Sequence, residues 1–200
     1  MYKRQGVSYD PTRGLVIVNT NRLAVTVQLI PRDAYDTLSA SPEGKRRKGF
    51  FAPRLGTPYG MYIEVLAAPS GRPCMPPPWG TLAAVHLATG TVRWEVPLGV
   101  VPEASLDPAS STWGSPNLGG SIVTAGGLVF IGAARDTFLR AFDVDTGKEL
   151  WQGPLPASVQ ATPMTYQLSP QGKQFVVIAA GGNSKLHTRK DDYVVAFTLP

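Results

Sequence analysis

The chain has 200 residues, among them 21 glycines and 19 prolines, with 16% charged and 43% hydrophobic residues and a formal net charge of +5. This is a turn-rich, core-bearing composition, which excludes a disordered chain, a coiled coil and, with Cys74 as the single cysteine, a disulfide scaffold. Lys45-Arg46-Arg47-Lys48 supplies four positive charges in one run, so the basicity reads as a solvated loop, with an anionic membrane surface or acidic partner as the alternative, and not as a nucleic-acid face. The longest uncharged stretch, Pro108 to Ala134, is broken by glycines, and no transmembrane segment is expected. Met1-Tyr2-Lys3-Arg4 leads into polar sequence with no apolar run to act as a signal peptide.

Along the chain, short apolar runs bounded by Gly, Pro, Asn and Asp predict an all-β fold. The expected strands are Leu15 to Val18, Thr81 to Leu87, Val92 to Val96, Ser121 to Thr124, Leu128 to Gly132, Phe138 to Val144, Glu149 to Trp151, Phe175 to Ala179 and Tyr193 to Phe197. Residues 31–60 differ from the rest. Their basic run and Pro, Gly and Ser clusters predict an irregular, partly disordered surface insertion. A second irregular segment, Gly71 to Gly80, is proline-rich and suits extended backbone: a connector, or a wall beside a pocket.

A repeat organises the strands. Ala84-Val85-His86-Leu87-Ala88-Thr89-Gly90-Thr91-Val92-Arg93-Trp94 matches Ala141-Phe142-Asp143-Val144-Asp145-Thr146-Gly147-Lys148-Glu149-Leu150-Trp151, and a third copy opens at Val195-Ala196-Phe197-Thr198. A spacing of about 57 residues without helices is that of a propeller blade of four antiparallel strands. Thr-Gly supplies the turn between the outer two strands, and the Trp after it is expected to lay its ring on the next blade and cap that blade's Thr-Gly turn. His86, in the slot that Asp143 fills in the next copy, is expected to make a structural hydrogen bond at the blade edge. At this size the chain holds at most three to four blades, so it reads as part of a larger ring.

The Thr-Gly-x-x-x-Trp element resembles the tryptophan-docking motif of the pyrroloquinoline quinone (PQQ) dependent quinoprotein dehydrogenases. Pro77 to Val85, Gly114 to Gly120, Gly132 to Asp143, Gln160 to Tyr166 and Gly172 to Gly182 are similar to the membrane-bound glucose, quinate and polyol branch. The resemblance implies the C-terminal portion of an eight-bladed propeller, residues 1–200. It also implies PQQ with a divalent metal, calcium or magnesium, held mainly by an upstream part that carries the catalytic base. The implied reaction oxidises a sugar, polyol or cyclic hydroxy acid in the periplasm and passes electrons to ubiquinone, with membrane attachment upstream. This chain alone would be inactive without the remaining blades.

No catalytic residue or metal ligand can be nominated here. The cofactor-binding residues implied are Asn21, at the end of a strand, Asp136 in a hairpin at the mouth, and Gly181, Gly182 and Asn183 in the loop before the last strand. Relatives of the glucose type carry His where Asn183 stands, which leaves quinate, shikimate or another polyol open as substrate. Trp113 reads either as a ring near a planar cofactor or as a blade-seam residue, and His187 as a loop residue. The rival reading is a cofactor-free propeller scaffold, in which these positions serve folding alone.

Overall fold

A computed structural model describes residues 6–69, 71–102 and 107–198. The basic start Met1 to Arg4 and the final Leu199-Pro200 lie outside them. Two compact units emerge: one built from the residues up to Arg22 and from Pro77 onward, the other from Leu23 to Pro76.

In chain order the first unit opens with β1 (Ser8–Asp10) and β2 (Leu15–Asn21). The second unit follows with β3 (Val25–Pro31), α1 (Arg32–Ala40), α2 (Pro42–Arg46), β4 (Phe50–Ala52) and β5 (Tyr59–Val65). The chain then returns to the first unit through β6 (Gly80–His86) and β7 (Val92–Pro97), which complete an antiparallel sheet ordered β1-β2-β6-β7. The next sheet is a sequential meander of β8 (Ser121–Val123), β9 (Leu128–Ile131), β10 (Phe138–Asp143) and β11 (Glu149–Pro154). A three-stranded sheet of β12 (Met164–Gln167), β13 (Gln174–Ala180) and β14 (Tyr193–Thr198) follows. Among the described residues the first unit is thus all-β, with two four-stranded blades and three strands of another.

The repeat is visible in the register. Pairing of β6 with β7 slips between Ala84 and Val85, and pairing of β10 with β11 slips at the same repeat position, between Ala141 and Phe142. Each bulge precedes a turn closed by a glycine at positive φ, 69° at Gly90 and 72° at Gly147, where a side chain would be strained. Between the first two blades Leu15, Ile17, Leu82, Leu98, Ile131 and Phe142 form a fully buried core. Leu139, Val159, Ile178 and their neighbours fill the next seam.

Trp94 docks as the repeat predicts. Its indole Nε1 donates to the carbonyl of Val144 at 2.9 Å, and a Cβ built on Gly147 would stand 2.5 Å from its ring. Trp151, the same position one blade on, meets Phe197 edge-on at 5.1 Å and remains 39% exposed.

His86 lies in the acidic slot and contacts the Thr89 hydroxyl through Nδ1 at 3.4 Å. Asp143 does more there, because its Oδ1 accepts from the Thr146 hydroxyl and from the backbone N–H of Thr146 and Asp145. His86→Asp is therefore expected to stabilise the chain by about 0.5 to 1.5 kcal/mol, read as a higher urea midpoint with unchanged slope.

Asp10, buried at the end of β1, accepts from Arg13 Nη1 at 2.9 Å and from the backbone N–H of Thr12 and Arg13, while Arg13 Nε reaches Asp145 of the next blade at 3.0 Å. Burial pushes the Asp10 carboxyl up, but the Arg13 side chain and the two backbone donors outweigh it and hold the group below its ordinary value. Asp143 is lowered too, first by the Thr146 hydroxyl against an opposing effect of burial. A depressed folded-state pKa contributes stability that is full above the unfolded value and is lost as pH falls through the folded one. The urea midpoint is therefore expected to hold down to about pH 5 and to drop below about pH 4. In Asp10→Asn that acid drop should be shallower.

The second unit corrects the expectation of an irregular insertion at 31–60. It spans Leu23 to Pro76 and carries a sheet ordered β3-β5-β4. Ile30, Tyr35 and Tyr62 form its core, with Leu38 and Phe51 against them. The basic run is solvated as expected, with Lys45, Arg46 and Lys48 exposed, but its first half is helix and not loop. Lys45 and Arg46 end α2, and Arg47 caps it, paired with Glu43 at 3.1 Å and lying over the Tyr62 ring at 5.2 Å. Val25, Val27 and Leu29 alternate along β3 on the sheet face away from Tyr62, and all three are exposed. Among the described residues no helix is long and apolar enough to cross a membrane.

Candidate functional site

β2, β9 and β13 are each the second strand of their sheet in chain order, and the loops that follow them are tied into one hydrogen-bonded set through Asn117, Leu118 and Gln160 and through Arg135. Described residues of the inter-blade connections meet these loops: Leu98 N–H donates to Gly80 O, Asn117 N–H to Asn21 Oδ1, and Ser158 O accepts from Gly182 N–H. Asn21 closes β2, Asp136 lies in the loop after β9, and Gly181, Gly182 and Asn183 open the loop after β13. The fold therefore brings the five sequence-nominated residues to one set of loops.

These loops are bonded to each other. Leu118 N–H donates to Gln160 Oε1 at 3.0 Å, and Gln160 Nε2 donates to Ala134 O at 2.8 Å. Arg135 Nε donates to Leu186 O at 3.1 Å, which joins the β9 loop to the β13 loop. Gly182 N–H donates to Ser158 O at 2.9 Å.

Asn21 is exposed, and its amide faces the backbone of Asn117: Nδ2 donates to Asn117 O and Oδ1 accepts from Asn117 N–H, both at 2.8 Å. A primary amide has two donors and two lone pairs, so among the described residues one N–H and one lone pair of Asn21 remain. Asp136 is buried and committed. Both its oxygens accept from Arg140, each at 2.8 Å, and Oδ2 also accepts from Val100 N–H at 2.7 Å. Such a carboxylate can fix charge and shape at the mouth, while its lone pairs are already drawn on by three donors.

Gly182 has φ of +63°, and a Cβ there would strike the backbone of Arg189, so this glycine lets its own loop close. Asn183 Oδ1 accepts from Lys185 N–H at 2.8 Å and from Leu186 N–H, capping the short turn Ser184–Leu186. His187 is an exposed loop residue at φ 54°. Trp113 sits 5.5 Å from the Trp79 ring, so the two indoles pack together at the start of β6. Sequence reasoning gave no role to Asn117, Gln160 or Arg140. The signals for them were a Pro-Asn loop step, a Gln heading a polar loop and an Arg four residues after an Asp, each too common to read alone.

Comparison with known proteins decides the family. The model of the family described as PQQ: Glucose/ethanol/alcohol dehydrogenase, beta-propeller domain matches residues 1–176. The chain belongs to this quinoprotein family. It is 40% identical over 206 residues to the quinoprotein glucose dehydrogenase of Escherichia coli, covering all of this chain and 26% of that protein. To the probable quinate dehydrogenase (quinone) of Xanthomonas campestris it is 42% identical, over 98% of this chain and 25% of the relative. The chain thus spans about a quarter of the length of the curated relatives it matches. In fold it is similar to a europium-containing methanol dehydrogenase, with a TM-score of 0.57 at 24% identity over 90% of this chain and 24% of that one. The quinohemoprotein alcohol dehydrogenase of Comamonas testosteroni gives the same TM-score at 23% identity, over 97% of this chain and 25% of the other.

The mouth loops suit part of an oxygen-rich quinone. Asn21 retains a donor, and Ser158 Oγ, beside the carbonyl that takes Gly182 N–H, is buried with no hydrogen-bond partner among the described residues. No group of three or more His, Cys, Asp or Glu suited to a metal ion occurs among the described residues.

Proposed function

We propose that this chain is the C-terminal portion of a periplasmic, membrane-associated PQQ dehydrogenase that oxidises a sugar, polyol or cyclic hydroxy acid and delivers electrons to ubiquinone. The observation that carries the reading is the convergence of Asn21, Asp136 and the Gly181-Gly182-Asn183 loop in one hydrogen-bonded set of loops of a family propeller. When bound, PQQ supplies the two-electron acceptor chemistry, and the protein supplies binding, orientation and electrostatics. In this reading Asn21 donates to an oxygen of the cofactor and the Asp136 and Arg140 pair fixes the β9 loop. Gly182 brings the β13 loop to the mouth. The divalent metal, calcium or magnesium, and the catalytic base come from an upstream part, and the remaining blades close the ring.

A cofactor-free scaffold is the second reading, favoured by the internal use that Asp136, Gly182 and Asn183 already have. One experiment separates the two. The 200-residue chain, and the same chain fused to the upstream portion of its E. coli relative, are each supplied with PQQ and calcium. Dye-linked oxidation of glucose, quinate and glycerol is then followed. Activity is expected of the fusion and not of the chain alone. A well-folded fusion that binds no PQQ overturns the dehydrogenase reading, and turnover by the chain alone overturns its incompleteness.

A further inference from the structure

Three asparagines meet where the first two blades join at the mouth. Asn117, 1% exposed, uses both amide donors and a lone pair: Nδ2 donates to Thr20 O at 3.0 Å and Ser115 O at 3.2 Å, and Oδ1 accepts from Asn19 Nδ2 at 2.6 Å. Asn19 spends its second donor on Gly119 O at 2.9 Å. The side chain of Asn117 thus clamps its own backbone beside the end of β2, and that backbone offers one N–H and one carbonyl to the Asn21 amide.

The pairing has a direction. Turning the Asn21 amide over would set its NH2 against an N–H and its oxygen against a carbonyl, replacing two hydrogen bonds by two repulsions. Asn21 is therefore held in one orientation, with its second N–H pointing away from Asn117. We propose that Asn117 is a positioning residue, whose buried amide network locks Asn21 so that it presents an N–H donor to an acceptor oxygen of the bound cofactor. This rests on the reading that the mouth holds PQQ.

The test is nuclear magnetic resonance on the 15N-labelled 200-residue chain, with PQQ as the probe. In the free chain the two Nδ2 protons of Asn21 are expected to exchange with solvent at rates at least about tenfold apart, since one is bonded to Asn117 O and the other is not. On addition of PQQ the fast proton should shift together with the Gly182 amide. In Asn117→Ala the rate difference should vanish and the apparent affinity, read at Gly182, should weaken about tenfold, the loss of roughly one hydrogen bond. Equal exchange rates in the unmodified chain would overturn the lock without recourse to any variant. Should PQQ shift Gly182 and leave Asn21 unmoved, the cofactor reading stands and this role for Asn21 fails. If PQQ shifts no resonance in the chain alone, the same titration is read on the chain, 15N-labelled, fused to the upstream portion of its E. coli relative with calcium present, and PQQ that shifts no resonance there overturns the cofactor reading and the proposal with it. A folded Asn117→Ala chain that keeps both the rate difference and the affinity removes Asn117 from the role.

Discussion

Replacing Trp94 by alanine is expected to cost about 3 to 5 kcal/mol, among the largest losses open to a single substitution in this fold. The ring is buried on the Thr146-Gly147 turn of the next blade, and its N–H satisfies the Val144 carbonyl. Truncation leaves a cavity at the blade seam and a buried carbonyl without its donor. Thermal unfolding should shift down by roughly 10 °C. Trp151→Ala provides the internal control, because the same repeat residue is 39% exposed there and its loss should cost about 1 kcal/mol. Equal losses at the two positions would show that blade docking is not what makes the motif stabilising.

Asp136→Asn should be nearly as damaging, at about 3 kcal/mol, for an electrostatic reason. Arg140 and Asp136 are both buried and bonded through two parallel contacts, so removing the carboxylate charge strands a guanidinium away from water. Glu149, 3.3 Å from Arg140 Nε, compensates in part. The apolar double variant Asp136→Leu with Arg140→Met should regain most of the loss, since no charge is then buried. Chemical denaturation of the parent chain and these two variants checks this. An Asp136→Asn chain as stable as the parent would mean that the carboxylate is maintained for function and not for folding.

Legibility differed sharply between the two units. The blades were readable because their information is local and repeated: Thr-Gly turns, alternating apolar strands and a Trp at fixed spacing recur with one geometry. β1, β12 and the three strands of the second unit escaped, being short or obscured by neighbouring Pro and Gly. Val25, Val27 and Leu29 had the alternation of a strand, yet they face outward. The helix α1 was hidden because Tyr35 and Leu38 give it too narrow an apolar stripe to register by periodicity.

At the mouth, sequence alone determined which residue types were available and, through the family motifs, where they stand in the chain. Only the tertiary structure decided how each spends its hydrogen bonds. Asp136 is joined to an arginine four residues away, Asn183 caps its own loop, and Asn117, almost a hundred residues after Asn21, takes one N–H and one lone pair of the Asn21 amide. The strand pattern and turns follow from short-range sterics and the alternation of apolar residues, which a linear text records. Polar satisfaction at a blade junction depends on which backbone groups the closed sheets leave over, and that is fixed only when the blades pack.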